Sequence, residues 1–365
     1  MRPLSVFAFI KGSIRKILPM VVTVCLAVAI LYFLSMFMEQ LDGQVNEAST
    51  YPLKNMSFII GSKSGITDSD IQKLESKGSN TQSFIVDIRD VTYYSVAGYT
   101  GANLIMARQK DISSIMELQK LSLSGGRFPQ KPMEVLLHKK LAANYGLKVG
   151  SVVVKKTKGW YINEDITVVG LFDGKGVMGI GMEDESRLKP GMPNTSIAVG
   201  GDSKSLETVN RYIEKTFAAK YRLFTLDMVE KILNNFNGPI NVMRLFVGIV
   251  LVCVLGVFLT NITMIQYSLR RKELELLHAI GYTREYIIFK AFREIGVAGI
   301  IGYLSGIVLT ILLIWGINVC FLTEKGLDMP LLSPGTMITL LLVPAAITLF
   351  SMLAPLRMTK FRDIV

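Results

Sequence analysis

The sequence contains little histidine and little cysteine, with two of the former and three of the latter among 365 residues. Because Cys25, Cys253 and Cys320 all lie within or beside long hydrophobic stretches, no disulfide is expected between residues 39 and 240. The chain lacks the phosphate-binding pattern G-x-x-x-x-G-K-S/T, and no Ser/His/Asp or paired-carboxylate arrangement stands out. We therefore predict no catalytic residue, no metal site and no cofactor bound by this chain.

Hydrophobic residues make up 50% of the chain, although it also carries 40 basic and 29 acidic residues. The apolar residues are concentrated in four stretches, each near the roughly 20 residues that a helix needs to cross a bilayer. The first is too long for the apolar core of a cleaved signal peptide, so we expect it to be a retained anchor. The sequence predicts a membrane protein with four transmembrane α-helices, at residues 18–38, 241–267, 293–319 and 335–355.

The net charge of +11 is distributed unevenly around these four spans. Basic residues cluster before the first span, between the second and third, and after the fourth: Arg2, Lys11, Arg15, Lys16, Arg270, Arg271, Lys272, Arg284, Lys290, Arg293, Arg357, Lys360 and Arg362. Since basic residues mark cytoplasmic flanks, residues 1–17, 268–292 and 356–365 are predicted to be cytoplasmic. The charge thus reflects orientation in the cell membrane, and no nucleic-acid partner is predicted.

Residues 39–240 are then a large extracytoplasmic domain between the first two spans, and 320–334 form a short extracytoplasmic loop. Short β-branched runs alternate with capped helical segments in the large domain, which predicts an α+β fold. We expect a helix over 135–145, a strand over 151–156, and a mobile loop over the Gly- and Met-rich residues 173–194. Residues 234–239 end in proline and are expected to break or kink the chain.

The predicted cytoplasmic segment 268–292 contains a short amphipathic helix. It ends at Gly281 and restarts at a cap formed by Thr283, while Leu274, Leu277 and Ile280 form an apolar edge beside charged residues. Such a helix, held between two membrane spans, suits docking into a groove of a cytoplasmic partner. Periodicity alone equally allows a helix that lies on lipid headgroups.

The same segment resembles the coupling region of the FtsX/MacB permease family. The matching residues run from 271 to 277, then Ala279-Ile280-Gly281 and Thr283-Arg284, while Tyr282 stands where a smaller residue is usual. Glu294 matches an acidic residue common at the start of the third span, and residues 354–364 resemble a truncated form of the family's C-terminal ending.

The predicted outer domain resembles the MacB core domain at several points. They are Ser124-Gly125-Gly126-Arg127-Phe128, Met133-Glu134-Val135-Leu136-Leu137, Leu141-Ala142, residues 146–151 and residues 166–172. The resemblance implies a permease subunit without a fused ATPase, bound to a separate ABC ATPase that uses ATP and Mg²⁺. It also implies a homodimer or a heterodimer with a related permease, with a membrane-fusion adaptor as a partner left open.

What the resemblance implies for function is export or extraction of an amphipathic or hydrophobic compound from the bilayer or the outer side. Movement of the coupling region, residues Arg271, Glu273, Leu274, Leu277, Ile280, Gly281, Thr283 and Arg284, would be transmitted outward through the first two spans. The alternative is FtsX-like mechanotransmission, in which the outer domain regulates a cell-wall hydrolase or sensor and nothing is transported.

Four further groups of residues need an interpretation. Ala298, Gly302 and Gly306 form a small-residue row that packs helices either within one subunit or across a dimer. Tyr32, Met36 and Phe37 are interfacial anchors or candidate substrate contacts. Met178, Met182 and Met192 are expected as loop contacts rather than ligands of a soft metal, and His138 and His278 as surface or amphipathic-helix residues.

Overall fold

The computed structural model describes residues 6–60, 66–75, 81–96, 98–192, 195–218, 220–269 and 271–351. The chain divides into two compact units. The helical unit comprises Met1–Met38, Gly238–Ile317 and Met329–Val365, and the sheet unit comprises Glu39–Asn237 and Asn318–Asp328.

The described residues form ten α-helices and ten β-strands. The helices are α1 (Val6–Val45), α2 (Asp68–Glu75), α3 (Gln109–Leu118), α4 (Lys139–Asn144), α5 (Ser203–Phe217), α6 (Leu226–Leu269), α7 (Arg271–Ala279), α8 (Arg284–Ile317), α9 (Pro334–Leu340) and α10 (Leu342–Ser351). The strands are β1 (Met56–Ile60), β2 (Thr81–Ser95), β3 (Gly98–Ala107), β4 (Ser122–Gly126), β5 (Glu134–His138), β6 (Val152–Val153), β7 (Ile166–Asp173), β8 (Gly179–Met182), β9 (Thr195–Gly201) and β10 (Arg222–Phe224).

Three helical stretches of the described chain are long and apolar enough to cross a membrane. They are Ile17–Leu53, Leu245–Ile265 and Glu285–Lys325, and Pro334–Ala346 is a shorter apolar stretch. The fourth predicted span, 335–355, is occupied by α9 and α10, and residues 352–355 lie outside the described part. The first three spans are therefore matched by long apolar helices, and the fourth remains a prediction.

The sheet unit is built on a mixed sheet of ten strands within the described residues. The strand order is β10-β1-β9-β2-β3-β8-β5-β7-β4, and β6 pairs with β7 off this path. In this part of the chain, the β3–β8 and β5–β7 pairs are parallel and the other pairs are antiparallel. Apolar side chains on the sheet form separate clusters with the helices, which agrees with the predicted α+β fold.

The expected loop over 173–194 is wrong, because the central strand β8 lies within it. The sequence pattern did not predict this strand, because Gly179 and Gly181 interrupt the apolar run that is typical of a strand. Their lack of side chains is what lets β8 fit between β3 and β5. A Cβ at Gly179 would lie 2.6 Å from Leu104 Cδ1, and one at Gly181 would lie 2.6 Å from Met106 Sδ.

Three other local predictions also need correction. Residues 135–145 begin as strand β5 before helix α4, because the run Val135-Leu136-Leu137 is buried on both faces of the sheet. The strand expected over 151–156 is only Val152–Val153. Helix α6 continues through 234–239, so the chain does not break there; the proline removes only one backbone donor from a helix of 44 residues.

Candidate functional site

The turn between α7 and α8 is closed by hydrogen bonds that the sequence pattern anticipates. Tyr282 N donates to Leu277 O at 3.1 Å, and Gly281 between them has a φ of +101°. This is the six-to-one bond of a Schellman ending, whose left-handed position favours glycine. Thr283 Oγ1 accepts from Tyr286 N at 3.4 Å and begins α8.

Two apolar side chains are exposed on α7 and in the turn that ends it. Leu276 is 62% exposed and Ile280 is 66% exposed, one helical turn apart, whereas Leu277 is only half-exposed. The side chains of Arg271, Glu273, Leu274 and Arg284 lie outside the described part of the structure. Leu276 was missed by the sequence pattern, although its i, i+4 spacing to Ile280 is the signal that predicts a shared face.

Aromatic residues extend this exposed apolar surface into the first turns of α8. The rings of Tyr282 and Tyr286 stack with centroids 5.1 Å apart, and Tyr286, Phe289 and Phe292 are all exposed. Apolar side chains left exposed near a helical turn are typical of a surface that contacts a partner protein or lipid. We call Leu276, Ile280, Tyr282 and Tyr286 the coupling surface.

Further along α8, Glu294 is buried with 6% of its surface exposed. The Nζ atom of Lys290, one turn earlier, lies 3.9 Å from Glu294 Oε1. Glu294 is therefore a buried acidic residue with a lysine beside it on the same helix, and it lies close to the predicted membrane boundary.

The small-residue row of α8 contacts α1 of the same chain. A Cβ at Gly302 would lie 2.7 Å from Val24 Cβ, and one at Gly306 would lie 2.6 Å from Cys25 O. Ala298, one turn earlier, is 3% exposed. Next along the row, Thr310 Oγ1 lies 3.1 Å from Ala29 O. The small residues allow the backbones of α1 and α8 to approach closely.

The candidate substrate contacts on α1 are mostly enclosed. Tyr32 and Met36 are fully buried, while Phe37 is half-exposed. The Tyr32 hydroxyl lies 3.3 Å from both Leu331 O and Ser333 N, so it ties α1 to the residues before α9. Of the three, only Phe37 presents surface to a ligand in this conformation.

In the sheet unit, the family-like residues around Arg127 and Glu134 form a bidentate ion pair. The two nitrogen-to-oxygen distances are 2.7 and 2.6 Å, and Gln130 N also donates to Glu134 at 2.7 Å. The Arg127 guanidinium lowers the pKa of Glu134 to about 2, although partial burial opposes that shift. Gly126, with φ +82°, brings β4 within reach of β7, because a Cβ there would meet Gly170 Cα at 2.6 Å. These motif residues hold β4 against its neighbouring strand β7 and tie it to β5.

His138 is not on the surface as expected, since only 2% of it is exposed. Its Nδ1 accepts from Lys140 N at 3.1 Å and caps α4, which leaves Nε2 to donate to Gly174 O at 3.1 Å. Burial lowers the pKa of His138. Met178 is likewise buried in the core rather than free in a loop, and His278 lies outside the described side chains. Within the described residues, no three His, Cys, Asp or Glu side chains are placed to hold a metal.

Comparison with known proteins gives one family match. Residues 245–364 match the family described as FtsX-like permease C-terminal, which confirms the resemblance carried by residues 271–285 and 354–364. No curated protein matches the sequence.

The solved structures that are similar to the chain include two from MacB and YknZ. One is the periplasmic region of MacB from Actinobacillus actinomycetemcomitans, at 15% identity and TM-score 0.30, covering 50% of this chain and 93% of that one. The other is the extracellular domain of the noncanonic ABC-type transporter YknZ from Gram-positive bacteria, at 15% identity and TM-score 0.29, covering 46% and 98%.

Proposed function

We propose that this chain is the permease subunit of an ABC transporter that draws energy from a separate ATPase. The observation that carries the proposal is the short helix α7, which lies in the region matching the FtsX-like family and exposes Leu276, with Ile280 exposed in the turn that follows. A rigid helix–turn–helix with an apolar tip fits a groove on a partner protein. The ATPase binds ATP and Mg²⁺, and this chain supplies no catalytic group.

The helical unit supports a proposal about the surroundings of α6 in the membrane. Many of the apolar side chains that the structure describes within 245–265 are exposed, including Leu245, Phe246, Ile249, Val254, Val257, Phe258 and Ile265. Such an all-round apolar helix needs lipid or other helices around it. We propose that α6 faces lipid and a second permease copy, either identical or related, in the cell membrane, with both chain termini cytoplasmic. A membrane-fusion adaptor is a further candidate partner.

The transported compound is proposed to be amphipathic or hydrophobic, and it is exported or extracted at the outer side. The size of the sheet unit, Glu39–Asn237 with Asn318–Asp328, favours transport, because a large outer domain has surface for handling a compound. The alternative is an FtsX-like complex that transmits force to a cell-wall hydrolase or sensor. Substrate-stimulated ATP hydrolysis with loss of resistance on deletion supports transport, whereas chaining or autolysis without altered resistance supports the alternative.

The coupling surface is tested by Leu276→Asp, with Leu276→Met as the matched control. Burying a leucine at an interface contributes about 1.5–3 kcal/mol, so the aspartate variant should bind the ATPase at least about tenfold more weakly. The measurement is co-purification and ATPase stimulation with the cognate ATPase in nanodiscs. A complex that survives Leu276→Asp with full turnover means that α7 is not the docking element.

A further inference from the structure

The segment Asn318–Asp328, called the strap below, is part of the sheet unit although its neighbours in sequence belong to the helical unit. It follows α8 directly and contains a π turn over Asn318–Leu322 and a 3-10 turn over Thr323–Lys325. The strap closes on itself, because Leu327 N donates to Leu322 O at 3.1 Å. It is therefore a folded element rather than a plain connecting loop.

Apolar side chains fix the strap in the core of the sheet unit. Leu327 is 4% exposed and belongs to the same cluster as Tyr93, Leu141 and Ala142, with Leu322 packed against it. Burial removes the leucine side chain from water. Detaching the strap would expose that side chain again, and the free-energy cost of this exposure opposes detachment.

The strap also touches the backbone of α4 closely. Gly326 has a φ of +65°, and a Cβ there would lie 2.9 Å from both Ala143 Cβ and Lys140 O. Asn144 Nδ2, at the end of α4, donates to Lys325 O at 3.2 Å and to Tyr94 O at 3.0 Å. Glycine is required at 326 by its left-handed conformation and by this approach.

The chain that follows the first span reaches the same helix from another direction. Glu47 receives two hydrogen bonds from Lys140 Nζ, at 2.8 and 2.7 Å, and its carbonyl accepts from Val177 N at 2.8 Å. Burial raises the pKa of Tyr93, and the charges of Glu47 and Asp328 raise it further. Helix α4 is thus where two separate chain connections meet.

We infer that the strap is a conformational link that holds α4 in place and passes displacement of α8 to the sheet unit at α4. The inference rests on the proposed function in one respect, since the ATPase is what would move α7 and α8. The physical reason is continuity: α8 leads directly into Asn318, and the strap is anchored at Leu327 and Gly326. The strap thus gives movement of α8 a route to the outer domain in addition to those through α1 and α6.

The attachment of the strap is tested by cysteine labelling in the full-length protein with Cys25, Cys253 and Cys320 replaced by serine. Leu327→Cys should react with a membrane-impermeant maleimide at least about tenfold more slowly than Glu324→Cys, whose side chain is exposed. Equal labelling of the two positions would show that the strap is not attached, and the inference would fail.

The transmission of movement is tested by Gly326→Ala, with Gly335→Ala as the control because nothing lies within 4 Å of a Cβ at Gly335. In the complex with the ATPase, hydrogen exchange of the α4 amides should change on nucleotide binding. We expect Gly326→Ala to raise basal exchange of α4 about fivefold, as a strained left-handed alanine does, and to abolish the nucleotide response. The control should retain the response. If Gly326→Ala does not fold, Asn144→Ala removes the donor to Lys325 and leaves the strap sequence intact.

The possible failures are distinguishable. An ATPase that does not co-purify with the wild-type chain overturns the proposed function, and with it the role of the strap in transmission. Co-purification with no nucleotide response at α4, or with a response that persists in Gly326→Ala and Asn144→Ala, overturns this inference alone.

Discussion

At the scale of single residues, the motif residues of the outer domain hold strands and helices together and have no catalytic role in our interpretation. Arg127 and Glu134 join the end of β4 to the start of β5 through paired charge-assisted hydrogen bonds. His138 caps α4 with a ring nitrogen. The sequence suggested neither role, because a capping histidine and a partly buried ion pair are defined by partners that only the fold brings close.

The Arg127–Glu134 pair predicts an acid-dependent loss of stability. The pKa of Glu134 is about 2 in the folded state, below the roughly 4.3 of an unfolded chain. A lowered folded pKa contributes stability that is complete above the unfolded value and disappears as the pH falls through the folded one. The wild-type chain should therefore lose stability between about pH 4.5 and 2 more steeply than Glu134→Gln.

Trp160 provides the measurement for this pH dependence. It is 4% exposed in the sheet unit, so its emission reports unfolding there when Trp315 is replaced by phenylalanine. The readout is the pH profile of chemical unfolding in detergent. Parallel profiles for the wild-type chain and the Glu134→Gln variant would show that this ion pair does not contribute to acid sensitivity.

At the scale of helices and strands, the sequence predictions agree best with the structure where a feature depends on residues close together in the chain. The end of α7 at Gly281 and the start of α8 at Thr283 follow from turn and capping chemistry and are present. Strand β8 was missed because Gly179 and Gly181 carry no hydrophobic signal. Leu276 was not among the predicted coupling residues, since single-helix periodicity does not reveal which side its neighbours cover.

The packing of α8 against α1 predicts that Gly306 does not tolerate a large side chain. In Gly306→Leu the new Cβ would be only 2.6 Å from Cys25 O and 2.9 Å from Val28 Cβ. Overpacking of this kind costs about 1–3 kcal/mol, so the thermal midpoint of the purified protein should fall. Gly316→Leu is the control, because a Cβ there meets nothing within 4 Å. Equal midpoints for the two variants would contradict this helix contact.

At the scale of the whole molecule, the apolar composition predicted the architecture better than the details. Long apolar runs predicted the three helices of the described residues that are long enough to cross a membrane, because helix length is set by bilayer thickness. The inclusion of the strap in the sheet unit was not predicted, since Leu327 and Gly326 contact residues that lie far earlier in the chain. Contacts between distant segments have no local pattern.

The proposed orientation predicts opposite accessibilities for two exposed lysines. With the three cysteines replaced by serine, Lys204→Cys on α5 should react with an impermeant maleimide in intact cells. Lys272→Cys on α7 should react only after the membrane is permeabilised, because the basic segment around it is predicted to be cytoplasmic. Labelling of Lys272→Cys from outside intact cells would reverse the topology and remove the basis for ATPase coupling.

Docking of α7 on a separate ATPase can be detected with a photo-crosslinking amino acid placed at Leu276 in living cells. Leu276 is exposed at the tip of the coupling surface, and the same probe at Lys204 serves as the control on the sheet unit. We predict a crosslink from position 276, and not from 204, to a protein that carries the phosphate-binding loop which this chain lacks. Crosslinks from position 276 to lipid alone would contradict the account and assign α7 to the membrane surface.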